Sequence, residues 1–178
     1  MQKVSPLPEE LAQLEKEDLI EIYEHFSPRL YRYAIRLLGQ SDLAEECVAE
    51  TFSRFLQILK KGGGPRDNLS AYLYRMAHNW ITDYYRKQPP VEKLEPEMFG
   101  DLMENPTAVV TKNMERERVR NALLQLTPEQ RQVIVLRFFE DWPHEEIASL
   151  IGKTAAATRA LQHRALIGLQ KMLIEPEV

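Results

Sequence analysis

Cysteine is almost absent from this sequence, since Cys47 is the only one among 178 residues. A single cysteine excludes a disulfide within the chain, which favours a reducing compartment. The four histidines are scattered and lack cysteine or histidine neighbours at the spacing of zinc ligands. We therefore expect neither a metal centre nor a cofactor, and Cys47 is expected to be a buried helix residue.

Long apolar runs are missing as well. No segment approaches the roughly 20 consecutive apolar residues that cross a bilayer. The N-terminal stretch MQKVSPLPEELAQ lacks the apolar centre of a signal peptide. Together these observations predict a cytoplasmic protein.

Residues arranged for catalysis are also lacking. The chain has only 7 glycines, and its glycine-rich stretch KKGGGPRDN (60–68) does not have the spacing of a phosphate-binding loop. No nucleophile is placed with histidine and aspartate partners in a recognisable catalytic motif. The sequence therefore does not predict an enzyme.

Neither sign of charge dominates the chain, which has 23 Lys+Arg against 27 Asp+Glu and a net charge of −4. A chain of this balance is not expected to coat nucleic acid indiscriminately, although it can carry local basic surfaces. One candidate is the segment 153–171, which contains four basic residues and no acidic residue.

What the sequence does contain is helical periodicity along most of its length, with no sustained alternation of apolar and polar residues. The pattern predicts an all-α protein. It places helices at 17–38, with a bend near Pro28, at about 41–60 and at about 69–87. Gly39 is predicted to cap the first helix, and residues 60–68 form a loop.

Helical patterning is interrupted again at 88–112, where Pro96 and Pro106 follow Pro89–Pro90 and acidic residues outnumber basic ones. This composition is typical of a flexible acidic linker between domains. The predicted organisation is an N-terminal extension (1–16), a helical domain (17–88), a linker (89–112) and a second helical domain (113–174). In the latter, Thr127 is the expected N-cap of a helix that begins at Pro128.

The stretch HEEIASLIGKTAAATRALQHRAL (144–166) has the spacing of a helix-turn-helix. Gly152 opens the turn, and Thr154 is a natural N-cap for the second helix. At 100° per residue, Thr158, Leu161 and Ala165 fall on the inner side of that helix. The opposite side combines small residues with groups that can reach base edges and phosphates. This candidate reading face consists of Ala156, Arg159, Gln162, His163 and, on its flank, Arg164.

The helix predicted at 69–87 has a polar stripe of Arg75, Asn79, Asp83 and Arg86. The stripe is equally well explained as a nucleic-acid contact or as a solvated face with an Asp83–Arg86 pair. Trp80 and Tyr84 have the phase of core residues, so we do not read them as stacking platforms for bases.

The helix predicted at 41–60 begins with an acidic face. These acids could simply complement the helix dipole, or they could dock on a partner with basic groups. The acidic face consists of Asp42, Glu45, Glu46 and Glu50.

Three blocks together resemble the extracytoplasmic-function (group IV) sigma factors of the sigma-70 family. They are LAEECVAETFSRF, AYLYRMAHNWITDYYRK and LTPEQRQVIVLRFFEDWPHEEIASLIGKTAAATRALQHRAL. The resemblance extends over nearly all of residues 20–172, with the blocks in the family's order.

The resemblance implies an alternative sigma factor that binds core RNA polymerase and initiates transcription at promoters. The acidic face would meet the β′ clamp helices, and the helix-turn-helix would read the −35 element beside the β flap. The loop Lys60–Leu69, with Arg66 and Asn68, would capture a base of the −10 element. The polar stripe would contact the same element.

The same resemblance implies promoter DNA and an anti-sigma factor as further partners. The protein would be a monomer when free or form a 1:1 complex, and would associate with the nucleoid within the holoenzyme. Departures from the family pattern include Ala49, Tyr72, Ala160 and Leu161. A stand-alone helix-turn-helix regulator, or a sequestered or degenerate sigma acting as an interaction module, remains an alternative.

Overall fold

The computed structural model describes residues 14–65, 68–87 and 106–174, without the side chains of 106–112. These residues are almost entirely helical, and no β-strand occurs among them. The all-α prediction is therefore confirmed. Arg66, most of the predicted N-terminal extension and the linker up to residue 105 lie outside the described residues.

Seven α-helices and one π-helical segment follow one another along the described chain. They are α1 (Lys16–Leu38), α2 (Ser41–Lys60), α3 (Leu69–Lys87), α4 (Pro106–Gln125), α5 (Pro128–Ile134), the π-helix Val135–Phe139, α6 (His144–Ile151) and α7 (Ala155–Ile174).

The bounds of α1, α2 and α3 agree with those predicted from periodicity, and Pro28 lies inside α1. Gly39 follows α1 with a φ of +76°, as its predicted role as a helix cap requires. The helix α4 differs, because it begins at Pro106 whereas periodicity predicted a start near residue 113. Proline is well tolerated in the first turn of a helix, where its missing N–H has no partner to lose.

The chain divides into two compact units. Unit 1 comprises residues 1–35 and 41–91, and unit 2 comprises residues 36–40 and 92–178. In unit 1, α2 packs against α3, and the rings of Tyr33 and Tyr74 meet edge to face at 5.2 Å. Burial of each large apolar side chain here contributes about 1.5–3 kcal/mol. Its fully buried side chains include Leu30, Tyr33, Phe55, Leu69, Leu73, Tyr74 and Ile81.

The predicted burial of Cys47 is confirmed. Its Sγ donates to the carbonyl of Ala77 at 3.8 Å, and burial raises the pKa of the thiol to about 12. The neutral thiol that results is a poor nucleophile. Cys47 therefore serves the packing of α2 on α3.

A buried histidine makes unit 1 sensitive to acid. His78 is 8% exposed, and its Nδ1 has no hydrogen-bond partner among the described residues. Burial and the nearby Arg75 lower the pKa of His78 below its ordinary value. The unfolded chain therefore takes up the proton more readily than the folded one, and protonation favours unfolding.

We expect the unfolding temperature of unit 1 to fall as the pH drops below about 6.5, the ordinary histidine pKa. Because the folded pKa is depressed, stability is fully present above this range and is lost on acidification. His78→Gln is expected to weaken the acid dependence, whereas His25→Gln, which removes an exposed histidine of the same unit, is expected to leave it unchanged. Trp80 fluorescence in a Trp142→Phe chain would report the transition of unit 1. Equal acid sensitivity of wild type and His78→Gln would contradict the prediction.

Unit 2 is built around the ends of α4, α5 and α7. Leu123, Leu126, Ile134 and Ala165 form a buried cluster, against which Leu169 and Met172 pack. Arg131 lies buried beside this cluster and donates to the carbonyls of Leu123, Leu124 and Leu126 at 2.8, 2.7 and 3.1 Å. The last carbonyls of a helix have no partner within it. Arg131 also donates to the carbonyl of Leu37 in the last turn of α1, and it thus caps the C-terminal ends of both α4 and α1.

The start of α5 is as predicted. Thr127 accepts from the backbone N–H of Gln130, and the Gln130 side chain accepts from the N–H of Thr127 in turn. The π-helix that follows was not predicted, because a single widened turn does not visibly change the helical spacing of apolar residues. It ends with the N–H of Glu140 bonded to the carbonyl of Val135, and Trp142 is buried just beyond.

Candidate nucleic-acid interface

The helix-turn-helix consists of α6, a short turn and α7, as the sequence predicted. Gly152 ends α6 in the left-handed conformation, with φ 68° and ψ 36°. The hydroxyl of Thr154 accepts from the N–H of Ala157 at 3.1 Å and so caps α7. Ile147 and Ala148 of α6 are buried, and α6 packs against α7.

The inner side of α7 is also as predicted, because Thr158, Leu161 and Ala165 are buried. Thr158 is a polar residue in this core, and its hydroxyl donates to the carbonyl of Thr154 at 3.0 Å. The buried hydroxyl of Thr158 is therefore satisfied as a hydrogen-bond donor.

Replacing Gly152 by alanine is expected to destabilise unit 2 by about 1 kcal/mol, because a Cβ disfavours the left-handed backbone. No atom lies within 4 Å of the Cβ position at Gly152, so the cost is conformational and not steric. Gly168→Ala is the matched control, since Gly168 lies inside α7 and its Cβ would make an ordinary 3.4 Å contact with Leu126. It is expected to be neutral or to stabilise by about 0.5 kcal/mol. Denaturant unfolding measures both, and equal midpoints for the two variants would refute the difference in sign.

The candidate reading face lies together on the outer side of α7. Ala156, Arg159, His163 and Arg164 are exposed, and Gln162 is half-buried. The alanine at the N-terminal end leaves room for close approach, while the longer polar groups follow one and two turns later. This gradient in side-chain size suits insertion of the N-terminal end of α7 into a groove.

Two contacts join the first turn of α6 to this face, and sequence reasoning missed both. Nε2 of His144 lies 2.6 Å from Oε1 of Gln162, and an Nη2 of Arg159 donates to Oε1 of Glu145 at 2.9 Å. The pKa of the Glu145 carboxyl is lowered by a hydrogen bond from its own backbone and further by Arg159. The partners are 18 and 14 residues apart in the chain, so no helical spacing relates them.

The polar stripe of α3 is solvent-facing. Arg75 and Asn79 are exposed, and Arg86 pairs with Asp83 at 2.9 Å. The 74% exposure of the Arg86 side chain leaves its guanidinium accessible despite that pair. Asn68 has a structural task as well, because its Oδ1 accepts from the N–H of Ala71 at the start of α3.

Several aromatic side chains of α3 are partly buried. Trp80 and Tyr84, which have the phase of core residues, are half-buried, and their rings stack at 5.8 Å. Tyr72 is half-buried with its ring 6.4 Å from that of Phe55.

The acidic face of α2 is exposed at Asp42, Glu45 and Glu46. Glu50 accepts from Nε of Arg54 at 2.6 Å, so its charge is partly offset. Beside this face lies a shallow groove of about 510 Å³. It is lined by Tyr23, Ser27, Pro28, Tyr31, Arg32, Glu45, Val48 and Ala49.

In the described part of the chain, no cluster of histidine, cysteine and carboxylate side chains is suited to hold a metal ion. Among the same residues, no helix combines the length and apolar character needed to span a membrane.

Comparison with known proteins agrees with this geometry. Residues 22–89 match the family model for Sigma-70 region 2, and residues 116–167 match that for Sigma-70, region 4. The first match covers α1–α3 except for the first residues of α1, and the second covers most of α4–α7, including the helix-turn-helix.

Individual relatives are of the same kind. The RNA polymerase sigma-E factor of Streptomyces coelicolor is 31% identical over 165 residues, which cover 88% of each chain. The ECF RNA polymerase sigma factor BldN of the same organism is 27% identical over 155 residues, and the match spans 85% of this chain but 59% of BldN.

Among solved structures, the sigma factor RpoE of Bartonella quintana, in complex with the anti-sigma factor NepR, is similar in fold. The TM-score is 0.67 at 21% identity, over 90% of this chain and 99% of that chain. The two family matches and the sigma-E relative together show that this chain belongs to the sigma-70 family of RNA polymerase sigma factors, in its extracytoplasmic-function group.

Proposed function

We propose that this sigma factor directs core RNA polymerase to promoters by reading the −35 element with α7 and the −10 element with unit 1. The observation that carries the proposal is the exposed, partly basic face of α7, held on a well-capped helix-turn-helix within region 4. We assign the protein no chemistry of its own, and we place its action in the cytoplasm, at the nucleoid when it is part of the holoenzyme.

At the −35 element, α7 would lie in the major groove with Ala156 nearest the bases. Arg159, Gln162 and His163 would face base edges, while Arg164 on the flank would reach a phosphate. Arginine pairs well with guanine in the major groove, whereas phosphate contacts fix the position of the helix without reading sequence. The exposure of both arginines supports their availability to DNA.

At the −10 element, the polar stripe of α3 would face DNA, together with Arg66 and Asn68 from the preceding loop. Flipping a base out of the duplex costs a few kcal/mol. Contacts from Arg75, Asn79 and Arg86 would offset part of that cost. The Asp83–Arg86 pair would then hold Arg86 in place until a phosphate competes for its guanidinium.

Core polymerase would be bound through the acidic face of α2. Asp42, Glu45 and Glu46 lie exposed within one arc of the helix, next to the groove lined by Tyr23 and Val48. An acidic surface beside a groove with both apolar and polar lining residues suits a partner helix with basic and apolar side chains. We assign this surface to the β′ clamp helices, and the β flap to unit 2.

Reversing charge on this face is expected to weaken assembly with core polymerase strongly. Glu45→Lys with Glu46→Lys should weaken binding on the order of 100-fold, because like charges would meet across the interface. Glu17→Lys with Glu24→Lys places the same charge on exposed sites of α1 and is the control. Co-purification and fluorescence anisotropy with core polymerase measure the effect. Wild-type affinity of the double variant would remove the acidic face from the proposal.

A second macromolecular partner, an anti-sigma factor, is proposed from the structure of RpoE, which was solved bound to NepR. A free chain would then be a monomer or form a 1:1 complex. Transcription reconstituted with core polymerase on promoters with randomised −35 and −10 elements tests the whole proposal. A chain that failed to bind core polymerase yet bound an operator alone would instead be a stand-alone regulator.

A further inference from the structure

The first turn of α6 contacts the very residues assigned to base reading on α7. His144 opens this helix after the extended residue Pro143, and both His144 and Gln162 are half-buried. The 2.6 Å separation of His144 Nε2 from Gln162 Oε1 makes this a short hydrogen bond. A half-buried bond of this length restricts the rotation of the glutamine amide.

Restriction of the amide matters because its two ends have opposite chemistry. The oxygen of glutamine accepts hydrogen bonds, whereas its NH2 group donates them. A glutamine with both ends available pairs with adenine, which presents one acceptor and one donor in the major groove. When Nε2–H of His144 holds Oε1 of Gln162 against α6, the NH2 group is the end of the amide that is turned away from α6 and available to a base.

We propose that His144 is a specificity-determining positioning residue: by holding Oε1 of Gln162 it turns the amide NH2 toward the groove, so that Gln162 selects guanine over adenine at one −35 base pair. Guanine offers two acceptors, N7 and O6, and no donor on its own major-groove edge. The inference rests on the proposed −35 reading by α7.

The neighbouring contact supports the same role for the first turn of α6. Glu145 holds one Nη2 of Arg159 at 2.9 Å, one turn of α7 before Gln162. Both side chains of that pair are well exposed, 68% for Glu145 and 56% for Arg159. An exposed pair is readily exchanged for a phosphate or base contact. It therefore orients Arg159 before binding, whereas the half-buried His144–Gln162 bond can persist within the complex.

A purely structural role for His144 would have a different consequence. If the bond only fastened α6 to α7, its loss would lower transcription from all promoters alike. If Nε2 instead accepted a hydrogen bond from the amide NH2, Oε1 of Gln162 would face the groove and favour cytosine, whose N4 is a donor. Sequence preference at a single base pair separates these cases.

The experiment uses holoenzyme reconstituted from the full chain and core polymerase, with a promoter library whose −35 element is randomised and whose −10 element is fixed. Wild type is expected to favour guanine over adenine at one base pair. Gln162→Ala should erase this preference, and Gln162→Glu should shift it toward cytosine, because a carboxylate only accepts.

His144→Ala is expected to lower the guanine-over-adenine ratio at that pair about fivefold or more, with the other positions unchanged. His144→Gln, which supplies an N–H at similar reach, should restore the ratio. His144→Asn, which is polar but shorter, should not, and it keeps the test decisive if alanine impairs folding. Glu146→Gln is the control, because Glu146 is an exposed residue in the same turn of α6, two residues after His144. It should leave every preference intact.

The proposal is overturned if both His144→Ala and His144→Asn change no preference, if Gln162→Ala leaves all preferences intact, or if wild type favours cytosine at the pair sensitive to Gln162. In each of these results the wild-type holoenzyme still depends on the −35 element, so the proposed function stands. A wild-type holoenzyme with no −35 dependence refutes the proposed function itself.

Discussion

Arg131→Met is expected to unfold unit 2 at a denaturant concentration that leaves unit 1 folded. The Arg131 guanidinium is buried and donates to four carbonyls, those of Leu37, Leu123, Leu124 and Leu126. Methionine fills a similar volume but donates no hydrogen bond. Each buried acceptor left without a partner costs about 1–3 kcal/mol, and the sum is a large part of the 5–15 kcal/mol that a typical domain possesses.

The measurement is urea unfolding of a Trp80→Phe chain, in which Trp142 is the remaining tryptophan and reports unit 2. Arg118→Met is the control, because Arg118 donates to a single carbonyl, that of Leu173, from an exposed position. We expect its effect to stay below about 1 kcal/mol. Arg131→Lys should fall between the two, since one ammonium cannot span four carbonyls as a guanidinium does. A wild-type midpoint for Arg131→Met would show that water replaces the lost donors.

The role of Arg131 illustrates what the sequence does not reveal. Apolar periodicity predicted the bounds of α1, α2 and α3, and local capping chemistry predicted Thr127, Gly152 and Thr154. Those features depend on residues within one turn of each other. Arg131 of α5 caps two other helices, α4 at Leu123 and α1 at Leu37, which is 94 residues away, and no local rule encodes such contacts.

The candidate interface divides in the same way. The outer side of α7 follows from 100° per residue, so Ala156, Arg159 and His163 could be assigned from the sequence alone. The contacts of His144 and Glu145 with α7 depend on the crossing of two helices and were not foreseen. One signal was available in the sequence. The first turn of α6 contains a histidine and two glutamates, and the next helix, α7, contains basic but no acidic residues.

Removing both arginines of the reading face is expected to lower transcription from a −35-dependent promoter on the order of 100-fold, because each lost contact to a base or phosphate costs about 1–3 kcal/mol. The variant is Arg159→Ala with Arg164→Ala. Lys171→Ala is the control, because Lys171 is an exposed base of the same helix that lies near its C-terminal end, where it complements the dipole. Unchanged promoter-specific transcription by the double variant would favour a degenerate sigma that acts only as an interaction module.

The single variants separate the two tasks proposed for these arginines. If Arg159 reads a base, Arg159→Ala should relax the sequence preference at one −35 base pair. Transcription from promoters that lack the preferred base at that pair should then be unchanged. If Arg164 holds a phosphate, Arg164→Ala should weaken all promoters about equally and reduce the slope of log affinity against log salt by about 1. Holoenzyme binding measured at several salt concentrations distinguishes them. Identical effects of the two variants would mean that both side chains serve only to neutralise the backbone, and that base reading by α7 rests on Gln162 and His163.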